Sequence, residues 1–187
     1  MESIEEIILD AEEKMEKTLS VLHEQFSGLR TGKASPSLVE NVKVLYYGAP
    51  TRLKEIANIS TPEPRLIVIN SYDPNALADI EKAILAANLG LTPMNDGRLI
   101  RIPIPELSQE RRTELTKVAR RIAEEARVSI RNIRRDANEH IKALQKNGKI
   151  SEDERDQTLE QVQKDTDEYI AKIDSLLKDK EKDIMAV

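Results

Sequence analysis

The 187-residue sequence has no cysteine and no tryptophan. Without thiols it has no disulfide framework, no thiolate metal site and no thiol nucleophile, and it is at home in a reducing cytosol. One phenylalanine and four tyrosines bring the aromatic share to 3%, too little for an aromatic-lined pocket or a base-stacking platform. The longest aliphatic run, Leu66-Ile67-Val68-Ile69, falls far short of the roughly 20 apolar residues a membrane span needs. The start, Met1-Glu2-Ser3-Ile4-Glu5-Glu6, has neither the basic head nor the apolar stretch of a secretory signal, so the protein is expected to be neither exported nor anchored. Phosphate-binding glycine loops, nucleophile elbows and metal-ligand spacings are missing as well. His23 and His140 fall on different helices without a partner motif and read as surface or interhelical residues. The expectation is a protein that is not an enzyme and needs no metal or cofactor.

What the chain does have is charge, 34% of its residues against a usual share of about 25%, a composition that favours long exposed helices. Apolar residues at Ile4, Ile7, Ile8, Ala11, Met15, Leu19, Leu22, Phe26 and Leu29 step by three and four, predicting a helix that ends near Gly28. The segment from Arg30 to Pro36, with Thr31 and Gly32, then breaks the period and reads as a hinge. From about Asn41 the pattern alternates: a strand through Val42, Val44 and Tyr46, a turn at Tyr47-Gly48-Ala49-Pro50, and a short second strand through Leu53, Ile56, Ala57 and Ile59 before Pro62 and Pro64. Arg65 to Tyr72 predicts a central strand, Asn75 to Ala87 a covering helix, and Asp96-Gly97 a two-residue hairpin leading into Arg98–Ile102. Pro103 and Pro105 close this block beside the first hinge.

A second long helix follows, capped by Ser108, with apolar positions from Leu115 through Val118, Ile122, Ala126, Ile130, Ile133, Ala137 and Ile141 to Leu144. Its roughly 40 residues would span about 60 Å, so it needs equally long partners. Ser151 with Glu154 predicts a capping box, and Leu159, Val162, Ile170, Ile173, Leu177 and Ile184 carry a third stripe. The reading is an α+β protein: a long antiparallel three-helix bundle from residues 1–30 and 106–187, with a small β/α/β domain, 31–105, inserted through two adjacent hinge connections. Three stripes that cover one another favour a monomer.

The net charge of −5 conceals a segregation. Residues 1–28 hold eight acids and two bases, and residues 151–187 twelve acids and six bases. Between Arg111 and Arg135 the balance reverses, with nine bases, eight of them arginine, against Glu114, Glu124 and Glu125. At 100° per residue Arg120, Arg127, Arg131 and Arg134 form one stripe, flanked by Arg112 and Arg135. One reading makes this the solvated face of a long helix, paired with acids on its neighbours. The other makes it a phosphate-backbone contact, which arginine's bidentate fork suits.

Several strings carry a resemblance: Arg30-Thr31-Gly32-Lys33-Ala34-Ser35-Pro36-Ser37-Leu38, Tyr46-Tyr47-Gly48, Asp96-Gly97 with Ile100-Arg101, Glu110-Arg111-Arg112, and Arg131-Asn132-Ile133-Arg134-Arg135-Asp136-Ala137. In order and over essentially the whole chain, the sequence resembles the ribosome recycling factor family, departing from its usual pattern at Lys33, Arg52 and Arg121-Ile122. The resemblance implies an L-shaped two-domain protein approximating tRNA in outline. It also implies binding to the post-termination ribosome and, with elongation factor G and GTP hydrolysis by that partner, its splitting into subunits, releasing mRNA and tRNA. Arg112, Arg131 and Arg134 match the family's ribosomal RNA contacts, with Arg127 and Arg135 beside them. Arg30 and Gly32, with Pro105, match its hinge, and the connecting segments read as hinges add Thr31 and Pro103. Two other classes stay in view, a coiled-coil module binding acidic proteins and a ribosome-independent nucleic-acid binder; the acidic flanking helices weigh against the latter.

Overall fold

The computed structural model describes residues 3–186. Helix α1 spans Ile4–Ser27 and is capped by the Ser3 hydroxyl, which accepts the Glu6 N–H at 3.2 Å. Strands β1 (Lys43–Tyr46) and β2 (Ala49–Arg52), a helical turn α2 (Leu53–Ile56), strands β3 (Ala57–Glu63) and β4 (Leu66–Ser71), helix α3 (Leu77–Ala86) and strands β5 (Met94–Asn95) and β6 (Ile100–Pro103) follow. Helices α4 (Gln109–Lys146) and α5 (Glu152–Met185) complete the chain. The chain divides into two compact units, 1–29 with 113–182, and 30–112 with 183–187.

The first unit is a bundle of α1, α4 and α5. Ile7 and Ala11 of α1, Ala137, Ile141 and Leu144 of α4 and Val162 of α5 share one buried cluster. At the other end Lys180 Nζ donates to the Leu29 carbonyl at 3.2 Å, so α1 and α5 run the same way and α4 against both. Helix α4 has 38 residues, about 57 Å at 1.5 Å per residue. It stops because Gly148 takes φ 70°, a left-handed conformation that costs a residue without Cβ little. The Gly148 and Lys149 amides turn back onto the Gln145 and Leu144 carbonyls at 3.0 and 2.9 Å. The capping box is present in full: Ser151 N–H donates to Glu154 Oε2 at 2.8 Å and Glu154 N–H to Ser151 Oγ at 3.1 Å.

Among the described residues, two buried ones in the bundle are polar and escape an apolar-stripe reading. Thr158 and Thr166 are buried on α5, each hydroxyl donating to the carbonyl four residues back, Glu154 at 2.6 Å and Val162 at 2.7 Å. The helix satisfies them itself, so they need no partner across the core.

The second unit holds a two-stranded hairpin, β1-β2, and an antiparallel four-stranded sheet of order β3-β4-β6-β5. Ile67 and Ile69 of β4, Ile100 and Ile102 of β6, and Leu77, Ile80 and Ile84 from α3 form its core. Four local expectations are corrected. The strand expected through Leu53–Ile59 begins as the helical turn α2, because Leu53 and Ile56, three apart, are both buried and would face opposite ways in a strand. Strand β3 runs past Pro62 to Glu63, with a register shift between Ser60 and Glu63; on an edge strand a missing N–H breaks only one ladder. The turn at Asp96 is longer than the expected two residues, running over residues 96–99 between the paired Asn95 and Ile100; Asp96 N–H donates to the Leu99 carbonyl at 3.2 Å and its carboxylate accepts the N–H of Arg98 at 2.9 Å and of Leu99 at 2.8 Å. The turn expected over Tyr47–Pro50 is confined to Tyr47 and Gly48, with φ of 49° and 79°, because Ala49 and Pro50 pair with Tyr46 and Leu45 as the start of β2. The Tyr46 and Tyr47 hydroxyls both donate to Asp73 Oδ2, at 3.3 and 3.0 Å.

Candidate nucleic-acid interface

The arginine stripe of α4 lies along its seam with α5, and the structure sorts its members by partner. Arg127 is held most firmly. Its Nε and Nη2 lie 2.8 and 2.6 Å from Asp174 Oδ1 on α5, and its Nη1 donates to Glu124 Oε2 at 3.0 Å. Its side chain is only 19% exposed. Burial works to lower its pKa, but the bonds to Asp174 and Glu124 outweigh it and raise it. Two α4 turns earlier along the seam, Arg120 Nε donates to Glu181 Oε1 at 2.6 Å. The surface-pairing reading thus describes these two residues.

The others are engaged differently. Arg131 Nη1 donates to Glu124 Oε1 at 3.1 Å, inside its own helix. Arg134 Nη1 meets a neutral group, Gln163 Oε1, at 3.4 Å. Arg135 is exposed, with no side-chain hydrogen bond or ion pair to any described residue. Arg112 is half-buried near the start of α4, its N–H on the Ser108 carbonyl at 3.0 Å. Within the stripe, Arg131, Arg134 and Arg135 are therefore members that no hydrogen bond or ion pair ties to a carboxylate of α5 among the described residues. Glu124 sits below the usual carboxylate range, chiefly through its bond from Arg127 and then that from Arg131.

The reading of the stripe as paired with acids on neighbouring helices describes Arg120 and Arg127, but it did not single out Asp174 and Glu181. The signal was present: Asp174 and Glu181 stand seven residues apart, as do Arg120 and Arg127, the spacing of two helices sharing a seam.

The connecting segments can be placed within the smaller unit. Arg30 is exposed, and its Nη1 lies 3.1 Å from where a Cβ on Gly90 would stand. Thr31 Oγ1 accepts the Lys33 N–H at 3.4 Å, and a Cβ at Gly32 would meet nothing within 4 Å. Ala34 N–H donates to the Pro64 carbonyl at 2.7 Å and Ile104 N–H to the Arg65 carbonyl at 2.8 Å, so both connections are tied to neighbouring residues of the β3-β4 turn. Pro103 pairs with Leu66 in the sheet and Ile104 is 8% exposed, leaving Pro105 as the first exposed residue beyond them. His23 and His140 are both exposed, and no group of His, Asp or Glu suited to a metal occurs among the described residues.

Residues 22–185 match the family model described as ribosome recycling factor. The chain belongs to the ribosome recycling factor family. It is 54% identical over 182 residues to the ribosome-recycling factor of Bacillus subtilis (strain 168), covering 97% of this chain and 98% of that one. To the same-named protein of Nitratidesulfovibrio vulgaris (strain DP4) it is 53% identical over 184 residues, covering 98% and 99%. Among solved structures it is similar to a solution structure of the ribosome recycling factor, with 44% identity, TM-score 0.82 and full coverage of both chains. It is also similar, at 46% identity and TM-score 0.69 over 98% of this chain and 100% of the other, to a chain of a further structure. That one models the T. thermophilus ribosome recycling factor and the E. coli elongation factor G bound to the E. coli post-termination complex. The family is one of translation factors that act in ribosome recycling and bind ribosomes; it is not a family of enzymes. Its α+β fold of long helices plus a small β domain is the one found here.

Proposed function

We propose that this protein binds the ribosome after peptide release and, together with elongation factor G and GTP, splits it into subunits, freeing mRNA and tRNA for another round. The reading rests on one observation above the rest: in a chain of net charge −5, Arg131, Arg134 and Arg135 keep guanidinium capacity that no acid of α5 consumes. Phosphate oxygens of large-subunit ribosomal RNA suit such donors, and the absence of aromatics on α4 directs them to backbone rather than to bases. Arg112 extends the contact toward the start of the helix, and Arg127 borders it while holding α5.

The partner hydrolyses the nucleotide; this chain supplies binding and mechanical coupling, acts as a monomer and works in the cytoplasm where bacterial ribosomes are. Arg30, Thr31, Gly32 and Pro105 serve as the hinge between bundle and small domain, while Pro103 stays with the sheet. Light scattering of post-termination ribosomes mixed with the protein, elongation factor G and GTP tests this. The expected result is a scattering drop that needs all three and is lost in Arg134→Ala. Binding to large subunits without any drop, with a partner active on a related factor, would overturn the splitting role.

A further inference from the structure

Glu124 stands out because its carboxylate is shared. Oε2 accepts from Arg127 Nη1 at 3.0 Å and Oε1 from Arg131 Nη1 at 3.1 Å. Glu124 is 53% exposed, and these two bonds are its side-chain hydrogen bonds among the described residues. The arginines do not depend on it equally. Arg127 is fixed independently by Asp174, which takes its Nε and Nη2 and leaves Nη1 directed at Glu124. Arg131, 43% exposed, has Glu124 as its ion-pair partner among the described residues.

A carboxylate bridging two guanidiniums presents one negative charge on two oxygens. A phosphodiester presents the same, one charge on two non-bridging oxygens, and the arginine fork matches it as it matches a carboxylate. Resting on the reading of α4 as a phosphate contact, we propose that Glu124 is a built-in competitor, occupying in the free protein the place between Arg127 and Arg131 that a phosphodiester of RNA takes on binding. The exchange keeps the number of bonds the two guanidiniums make, and the displaced glutamate, still tethered to α4 and still charged, turns out into water. An exposed ion pair is weak, so the competitor is easily displaced by a phosphate held at several further points and poorly displaced by an isolated one. It thereby lowers affinity for stray anions and RNA without blocking a target that also engages Arg134 and Arg135.

The test titrates dimethyl phosphate, a phosphodiester monoanion, into the full-length protein while following the arginine Nε–H resonances by NMR. Glu124→Gln removes the competing charge and is expected to lower the half-saturating concentration at Arg131 by roughly two- to fivefold, the factor an exposed pair supports. Glu125→Gln removes the same charge from the neighbouring position, whose carboxylate faces Arg121 at 3.8 Å, and is expected to leave it unchanged. Equal effects from both variants, or no gain from Glu124→Gln, would overturn the proposal. Binding to isolated large ribosomal subunits separates it from the functional reading. Tighter binding by Glu124→Gln supports both. Weakening by Arg131→Ala with no change from Glu124→Gln removes the competition and leaves the reading standing. A phosphate response without any effect of either variant on subunit binding keeps the anion site and removes α4 as the ribosomal contact.

Discussion

The Tyr169 hydroxyl on α5 donates to Glu16 Oε2 on α1 at 2.9 Å, joining the first and last helices of the chain. Lys172 lies over the same ring, 4.6 Å from its centre. Burial first, and then the bond to Glu16, push the Tyr169 pKa up to about 12. The folded value exceeds the ordinary one of about 10, so the contact's contribution is complete below about pH 10 and is lost as pH rises toward about 12. Tyr169→Phe is expected to cost roughly 0.5–1 kcal/mol near neutrality. Denaturant melts should show the gap between wild type and variant closing across that alkaline window; a gap that persists there would refute the contact's role.

The Arg127–Asp174 clamp predicts a measurable coupling between α4 and α5. A double-mutant cycle with Arg127→Ala and Asp174→Ala should return about 1 kcal/mol, at the upper end for a partly exposed pair because both Nε and Nη2 are engaged. In a protein of this size that is a shift of about 2–4 °C in melting temperature.

Arg131, Arg134 and Arg135 should behave oppositely. Their alanine variants are expected to leave the melting temperature unchanged while each weakens binding to large ribosomal subunits by roughly tenfold and reduces the salt slope by about 1. Melting and filter-binding measurements on the same preparations decide this.

The buried Thr166 hydroxyl bonds only to its own helix, at the Val162 carbonyl 2.7 Å away. Thr166→Val keeps the volume and removes a polar group, so it should be neutral or mildly stabilising. Thr166→Ser keeps the hydroxyl and removes a buried methyl, and should cost about 1 kcal/mol. The reverse order in thermal melts would mean the hydroxyl has a role beyond its own turn.

The long helices were legible because their determinants are local. The Ser151–Glu154 box, the Gly148 stop, the Ser108 cap and steps of three and four in apolar residues act within one or two turns. The small domain was read less well where short segments carried two patterns at once. Leu53, Ile56, Ala57 and Ile59 fit a strand by composition, and only the burial of Leu53 with Ile56 against one core selects a helical turn for the first half. Thr158 and Thr166 were invisible as core residues because their polar atoms are satisfied inside α5 rather than across the bundle.

The sequence by itself determined that α4 is a single long helix with a line of arginines on one side, since residue type and a period of 3.6 suffice for that. It made Arg127 and Arg134 equivalent: the same residue, seven positions apart, on the same face. Only the tertiary structure told them apart, because what an arginine does depends on the group across the seam. Opposite Arg127 the antiparallel α5 brings the carboxylate of Asp174, opposite Arg134 the neutral amide of Gln163. A charge answered by a charge holds the bundle together, and one answered by an amide keeps its attraction for an incoming phosphate.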